Sequence, residues 1–278
     1  MEKKTIKTEV INRLRFIFRT KEWNIDDELF ENYCKLLGFL NEKEIDLILR
    51  LTEDYLHCKF YQYEPLIKNL LKQIIVEYRH YLGNIFLLPL IKFKDIGSVK
   101  SGNFLLYPAK IELEKIIKRD KTQTFALENP NLLKRKHSER KNSLILLLDD
   151  FIGTGNTAEE AIDFYYNEIA VQSDKIIIAA LVAQDAGVKK ISDLGIEIYV
   201  AIRRKKGITE SERLDDIDKA VKIMEELEEK IGVDDYLRFG YKRSEALVTM
   251  LRTPNNTFPV FWHDNKANGS IWPAPFRR

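Results

Sequence analysis

The sequence predicts an α/β fold, a parallel sheet flanked by helices with an N-terminal helical module. Three observations carry this. Apolar runs of strand length recur at 85–89, 144–148, 176–182 and 196–202, with a weaker one at 122–127. Helical patterns fill the intervals at 157–171 and around 185–194, and strands that alternate with helices build a parallel sheet covered on both faces. The first 80 or so residues carry only helical periodicity, with few breakers.

In chain order, Val10, Leu14, Ile17 and Phe18 form one apolar stripe. Leu29, Phe30, Tyr33, Leu36 and Leu37 form a second, and Ile45, Leu47, Ile48, Leu51 and Leu56 a third. Pro65 opens a further helical segment through Tyr81. These stripes read as core, and His57 and His80 as structural histidines. The pattern changes at Asn84, which places a boundary between a helical module at 1–82 and an α/β domain at 83–278. The latter closes with a charged amphipathic helix at 212–231 and an irregular aromatic tail holding Trp262 and Trp272.

The 278 residues are 45% hydrophobic, enough for a sizeable core, and the net charge of +2 demands neither nucleic acid nor a membrane surface. Cys34 and Cys58 have no metal-like spacing and read as reduced, buried residues. The start of the chain has no signal-peptide pattern, and no apolar run is long enough to span a bilayer, so the expected location is cytoplasmic.

The chemistry concentrates in 143–158, Ser-Leu-Ile-Leu-Leu-Leu-Asp-Asp-Phe-Ile-Gly-Thr-Gly-Asn-Thr-Ala. An apolar strand should end at Asp149 and Asp150. The turn Gly153-Thr154-Gly155-Asn156-Thr157 follows, and a helix opens behind it. A helix N-terminus offers unpaired N–H groups and partial positive charge to a phosphate. The glycines let backbone approach the ligand, and Thr154 and Thr157 add hydroxyl donors. Ionised carboxylates suit vicinal ribose hydroxyls and attract Mg²⁺. A dinucleotide fingerprint also fits Gly153-x-Gly155-x-x-Ala158, but needs its glycines directly after the strand. A nucleoside-triphosphatase loop lacks its Lys-Ser/Thr. An ordinary strand–turn–helix explains one Asp and one Gly but not the whole string.

This string resembles the PRPP-binding motif of type I phosphoribosyltransferases: strand, two acids, two apolar residues, then Thr-Gly-x-Thr. The resemblance implies a phosphoribosyltransferase-like sheet and assigns the catalytic acidic pair and Mg²⁺ contacts to Asp149 and Asp150. It gives the 5′-phosphate to Gly153, Thr154, Gly155, Asn156 and Thr157. Two positions depart from the motif. Gly153 stands where the purine enzymes carry a catalytic Asp, and Asn156 where a smaller residue is usual. The resemblance also implies a pyrophosphate loop at Ser98, Val99, Lys100, Ser101 and Gly102. A mobile basic loop within 128–142 is implied too, with Lys134, Arg135 and Lys136 followed by His137, Arg140 and Lys141. A solvated basic loop and a nucleic-acid patch are the competing readings of that segment.

The implied activity is transfer of ribosyl phosphate from PRPP, with Mg²⁺, to a nitrogen acceptor with release of pyrophosphate. The acceptor pocket would come from the N-terminal helices or the tail, where Trp262 and His263 offer stacking and hydrogen bonding if they are not simply core and surface. The tail segments Phe239-Gly240-Tyr241, Leu247-Val248 and Thr253-Pro254-Asn255-Asn256-Thr257 resemble a divergent bacterial branch found in retron and other anti-phage loci. That implies a defence effector, or a sensor that binds PRPP or a nucleotide beside a protein partner. A nucleotide- or nucleic-acid-modifying effector using the same site is the third reading. Nucleic-acid contact and oligomerisation stay open, and no membrane partner is expected.

Overall fold

The computed structural model describes residues 6–23, 26–78, 83–117, 122–136, 143–169, 175–264, 266–267, 270–276 and 278. Its elements, in chain order, begin with helices α1 (Thr8–Thr20), α2 (Asp27–Leu37) and α3 (Glu42–Asp54), strand β1 (Leu56–His57) and helix α4 (Phe60–Tyr78). Then come β2 (Ile85–Pro89), α5 (Ser101–Ile117), β3 (Thr124–Ala126), α6 (Asn131–Lys134), β4 (Leu144–Ile152) and α7 (Asn156–Phe164). The rest are β5 (Lys175–Gln184), α8 (Asp185–Asp193), β6 (Glu197–Arg204), α9 (Ile217–Ile231), β7 (Val248–Thr249), β8 (Lys266–Ala267) and β9 (Ser270–Ile271).

These elements form two compact units, one at Lys59–Arg204 and the other made of Met1–Cys58 with Lys205–Arg278. The partition differs from the expected boundary at 82/83 at both ends. Helix α4 belongs with the sheet, and the tail belongs with the first three helices. Periodicity shows that a segment is helical; it does not show which core receives its apolar face.

Within the unit 59–204, five parallel strands lie in the order β3-β2-β4-β5-β6. Each strand is followed by a helix or a long loop that returns the chain to the same end of the sheet. The core strands are almost wholly buried, as expected of a sheet with both faces covered. Phe86, Leu88, Ile145, Leu147, Ile176 and Ile178 pack with Ala158, Ala161, Ile162, Val188 and Ile191 of α7 and α8. Pro65 and Pro108 lie inside α4 and α5 rather than opening them. Pro65 comes early in α4, so it forfeits one backbone bond near the helix start, and tertiary packing outweighs the loss.

Strand order reverses between β2 and β4. The chain leaves β2 towards β3 on one side, and β4 towards β5 and β6 on the other. That is a switch point, and the crevice beyond the carboxyl ends of its two strands is where open α/β sheets bind ligands.

The other unit gathers Leu14, Phe18, Tyr33, Leu36, Ile48 and Tyr55 with Met224, Leu227, Phe258 and Phe261 in one core. Helix α3 carries a capping box between Asn41 and Glu44. Helix α9 begins at Ile217 because Asp216 caps it, accepting from the Lys219 N–H at 3.0 Å; 212–216 is therefore not helical. His57 packs edge-on against Trp23 and Phe276, as a structural histidine. His80 lies outside the described residues.

Glu228, on α9, is fully buried in this core. Its Oε2 accepts from the Phe239 N–H at 2.8 Å, while its Oε1 has no hydrogen-bond partner among the described residues. Burial pushes its pKa up to about 8, the Phe239 bond opposing only in part. The folded pKa is raised, so the stability it contributes is full below the unfolded value of about 4.3 and declines as pH rises towards 8. The slope is up to about 1.4 kcal/mol per pH unit and levels off above the folded value. Thermal melts from pH 5 to 9 should show this decline in the wild type. Glu228→Gln, which keeps the acceptor oxygen and removes the charge, should flatten it. An unchanged slope in the variant would assign the pH dependence elsewhere.

Candidate functional site

The site forms where the chain leaves β2 and β4. Strand β4 is longer than its apolar run and continues through Asp149, Asp150 and Phe151 to Ile152. The cause is its neighbour: β5 keeps pairing, with Asp149 opposite Ala180, Phe151 opposite Val182 and Ile152 opposite Ala183. Both carboxylates are therefore held on regular strand backbone.

Hydroxyls from two helices, Ser101 of α5 and Tyr63 of α4, meet the carboxylates. Ser101 Oγ, at the start of α5, donates to Asp149 Oδ1 at 3.0 Å, which also accepts from the Asp150 N–H at 2.9 Å. The Tyr63 hydroxyl, from α4, donates to Asp150 Oδ2 at 3.2 Å. Asp150 is buried and Asp149 half-buried. Burial pushes Asp149 well above the usual carboxylate range, and the adjacent Asp150 charge pushes it the same way. Burial also raises Asp150, opposed by its bonds from Ser101 and Tyr63. Two carboxyl groups this close resist double ionisation, and a bound cation or hydroxyl donors would relieve them.

The turn behind β4 is pressed tight. Gly155 has φ +77°, a left-handed conformation that favours glycine, and it stands at the N-cap of α7 with no side-chain cap bond. A Cβ there would lie 3.1 Å from the Gly187 carbonyl oxygen of α8. Gly187 is tighter still: a Cβ on it would overlap the Gly153 carbonyl oxygen. Lys190, one turn further along α8, donates from Nζ to Asn156 Oδ1 at 2.6 Å and pairs with Glu159 Oε2 at 2.5 Å.

The segment expected as a pyrophosphate loop is a loop only as far as Lys100. Ser101 and Gly102 open α5, because Gly102 lets the helix approach the sheet: a Cβ there would lie 2.6 Å from the Leu148 carbonyl oxygen. Ser98 and Val99 are exposed, and Lys100 pairs with Asp95 at 3.3 Å. Through Ser101 this segment meets Asp149, so the structure brings two of the three expected groups together.

The third group stands differently. Lys134 ends the short helix α6 beside Glu168 at 3.7 Å, Arg135 follows it, and Lys136 sits over the Phe125 ring at 4.5 Å. His137, Arg140 and Lys141 lie outside the described residues. In the other unit, Trp262 is core, its indole N–H bonded to the Thr257 carbonyl at 2.7 Å, and His263 is buried beside it. Both are therefore packed side chains rather than an open stacking surface.

Sequence reading missed Tyr63, Gly187 and Lys190. Nothing local marks Tyr63, which lies 87 residues from Asp150. Gly187 had a signal, a glycine just inside a helix that follows a strand, which often marks close backbone approach.

Two carboxylates and the Ser101 hydroxyl make an all-oxygen donor set, the kind Mg²⁺ takes. Among the described residues no group of three or more His, Cys, Asp or Glu side chains is placed to hold a metal. These residues fit an ion that draws most of its ligands from a bound phosphate compound and water, as Mg²⁺ does. Among the described residues no helix is long and apolar enough to cross a membrane.

No curated protein sequence matches this chain. Several solved structures are similar to it. Hypoxanthine-guanine phosphoribosyltransferase from Schistosoma mansoni, in complex with IMP, is 15% identical over 52% of this chain, with a TM-score of 0.33; the match spans 63% of that enzyme's length. Orotate phosphoribosyltransferase from Mycobacterium tuberculosis, in complex with PRPP, is 13% identical over 57% of this chain and 79% of its own, with a TM-score of 0.32. A hypothetical protein from Neisseria gonorrhoeae with bound ppGpp is 15% identical over 62% of this chain and 97% of its own, with a TM-score of 0.35. The PRTase-CE family model matches residues 17–278, which takes in most of both units, and the chain belongs to that family.

Proposed function

We propose that the protein binds PRPP with Mg²⁺ and transfers its ribosyl phosphate to a nitrogen acceptor, releasing pyrophosphate. One observation carries the reading: a carboxyl pair with raised pKa values lies near the end of the central strand and is followed within a few residues by a helix N-terminus behind a left-handed glycine. Acceptors for sugar hydroxyls and donors for a phosphate thus stand at two ends of one short segment.

In this reading Asp149 and Asp150 accept from the ribose hydroxyls and offer oxygens to Mg²⁺, whose charge would stabilise the departing pyrophosphate. Ser101 and Tyr63 hold the two carboxylates in place. The turn 153–157 fixes the 5′-phosphate, and the segment 98–102 faces the pyrophosphate. The C1–O bond to pyrophosphate breaks with its electron pair leaving on oxygen. The acceptor nitrogen bonds to C1 from the opposite face and gives its proton to water. The protein's work is positioning and charge stabilisation.

The test is calorimetric titration of PRPP with Mg²⁺ into the wild type and an Asp149→Asn/Asp150→Asn variant, followed by pyrophosphate release against a panel of nitrogen bases. Binding should be lost in the variant, and one base should give turnover. Absence of binding to the wild type would overturn the reading.

A second reading is a sensor that binds PRPP or a nucleotide without turnover. It is favoured by Gly153, which leaves the turn 153–157 without a carboxylate or imidazole to act as base. Binding with no pyrophosphate release from any base would select it. On either reading the protein serves bacterial anti-phage defence beside a protein partner, a role supported by the resemblance of its tail. Phage plating with the double Asn variant, which should no longer protect, tests that role.

A further inference from the structure

We propose that Lys190 is a positioning residue for the turn 153–157, holding the Asn156 carboxamide away from the first-turn N–H groups of α7 so that they stay available to an anion. The inference rests on the proposed function, since it concerns the phosphate end of that site.

Asn156 is the first residue of α7, and the N-cap before it, Gly155, has no side chain with which to cap the helix. Asparagine near a helix N-terminus tends to turn its carboxamide oxygen onto backbone N–H groups two or three residues on. Here that would spend the donors a phosphate needs. Instead the oxygen accepts from Lys190 Nζ at 2.6 Å, a charge-assisted bond stronger than a neutral one.

The ammonium is itself fixed. Glu159 Oε2, on the next turn of α7, pairs with it at 2.5 Å and offsets its charge. The backbone sets the same register, because Gly187 and Lys190 share the face of α8 that meets the turn. A Cβ on Gly155 would lie 3.1 Å from the Gly187 carbonyl oxygen and 3.4 Å from Lys190 Cβ. Lys190 therefore acts through Asn156, its own charge already answered by Glu159.

A double-mutant cycle reads this directly. The affinity of the full chain for PRPP with Mg²⁺ is measured by calorimetry for the wild type, Lys190→Met, Asn156→Ala, Lys190→Met/Asn156→Ala and Lys190→Arg. Thermal melts check that each variant folds. Lys190→Met should bind about tenfold more weakly, the cost of one competing hydrogen bond. The double variant should bind as Asn156→Ala alone does, because with the competing carboxamide gone the loss caused by Lys190→Met has nothing to act through. Lys190→Arg, which keeps a donor for Asn156, should stay near wild type.

A loss that persists in the double variant would make Lys190 a direct charge contact and overturn the proposal. Unchanged affinity in Lys190→Met would overturn it as well. Wild type that binds no PRPP would overturn both this inference and the function on which it rests, whereas wild type that binds, with no effect at Lys190, would overturn this inference alone.

Discussion

Asp149→Asn is expected to melt a few degrees higher than the wild type at pH 8 while losing PRPP binding by two orders of magnitude or more. The two effects share one cause. Asp149 sits beside Asp150 on buried strand backbone, and its pKa is well above the usual range. A carboxyl whose folded pKa is raised contributes stability that is full below its unfolded pKa of about 3.9 and is lost as pH rises towards the folded value. At pH 8, well above the unfolded pKa, the wild type has given up stability through this raised carboxyl, whereas the amide has no charge to bury and keeps an acceptor for Ser101. A gain of about 1 kcal/mol corresponds to roughly 2–4 °C in a unit of this size. The comparison should vanish near pH 4, where the wild-type carboxyl is protonated as well. Binding changes in the opposite sense, because the carboxylate is the acceptor and cation ligand the proposed function uses. A variant that melts lower than the wild type at pH 8 would show that the pair is stabilising and that this electrostatic account is wrong.

Gly187→Ala should lose PRPP binding and destabilise the sheet unit by about 1–3 kcal/mol, the usual cost of forcing a methyl into a packed site. Helix propensity argues the other way, since alanine in a helix is favoured over glycine by about 1 kcal/mol. The contact decides the sign. The added methyl would overlap the Gly153 carbonyl oxygen and crowd Ile152 Cγ2 at 3.1 Å, and a backbone oxygen cannot swing away as the end of a long side chain can. Either α8 lifts from the sheet or the turn 153–155 moves, and the second spoils the phosphate end of the site. Denaturant melts and PRPP titration report the two losses separately. A stabilised variant with intact binding would mean that α8 and the turn are not in this contact.

The acid pair, the turn and the helix behind it were legible in the sequence because all of their parts fall within one short stretch, 143–158. Local order suffices there: an apolar run, two acids, glycines with small polar residues, then helical periodicity. The other strands of the five-stranded sheet were legible for the same reason, although β4 was read as ending at the acid pair. Its last four residues are strand because β5 pairs with them, and Asp149 opposite Ala180 is a long-range fact that no local pattern carries. Ser101 was read as part of a loop, yet Gly102 against the Leu148 carbonyl draws it into α5.

By itself, the sequence determined the α/β class, the strand that bears Asp149 and Asp150, and the turn with the helix N-terminus behind them, since backbone periodicity and glycine geometry are local properties. Only the tertiary structure decided that α4 joins the sheet and brings Tyr63 to Asp150, that Ser101 meets Asp149, and that Gly187 and Lys190 brace the turn. Each of these joins residues tens of positions apart, and which partner a side chain meets is set by the packing of whole elements against one another rather than by the residues beside it in the chain.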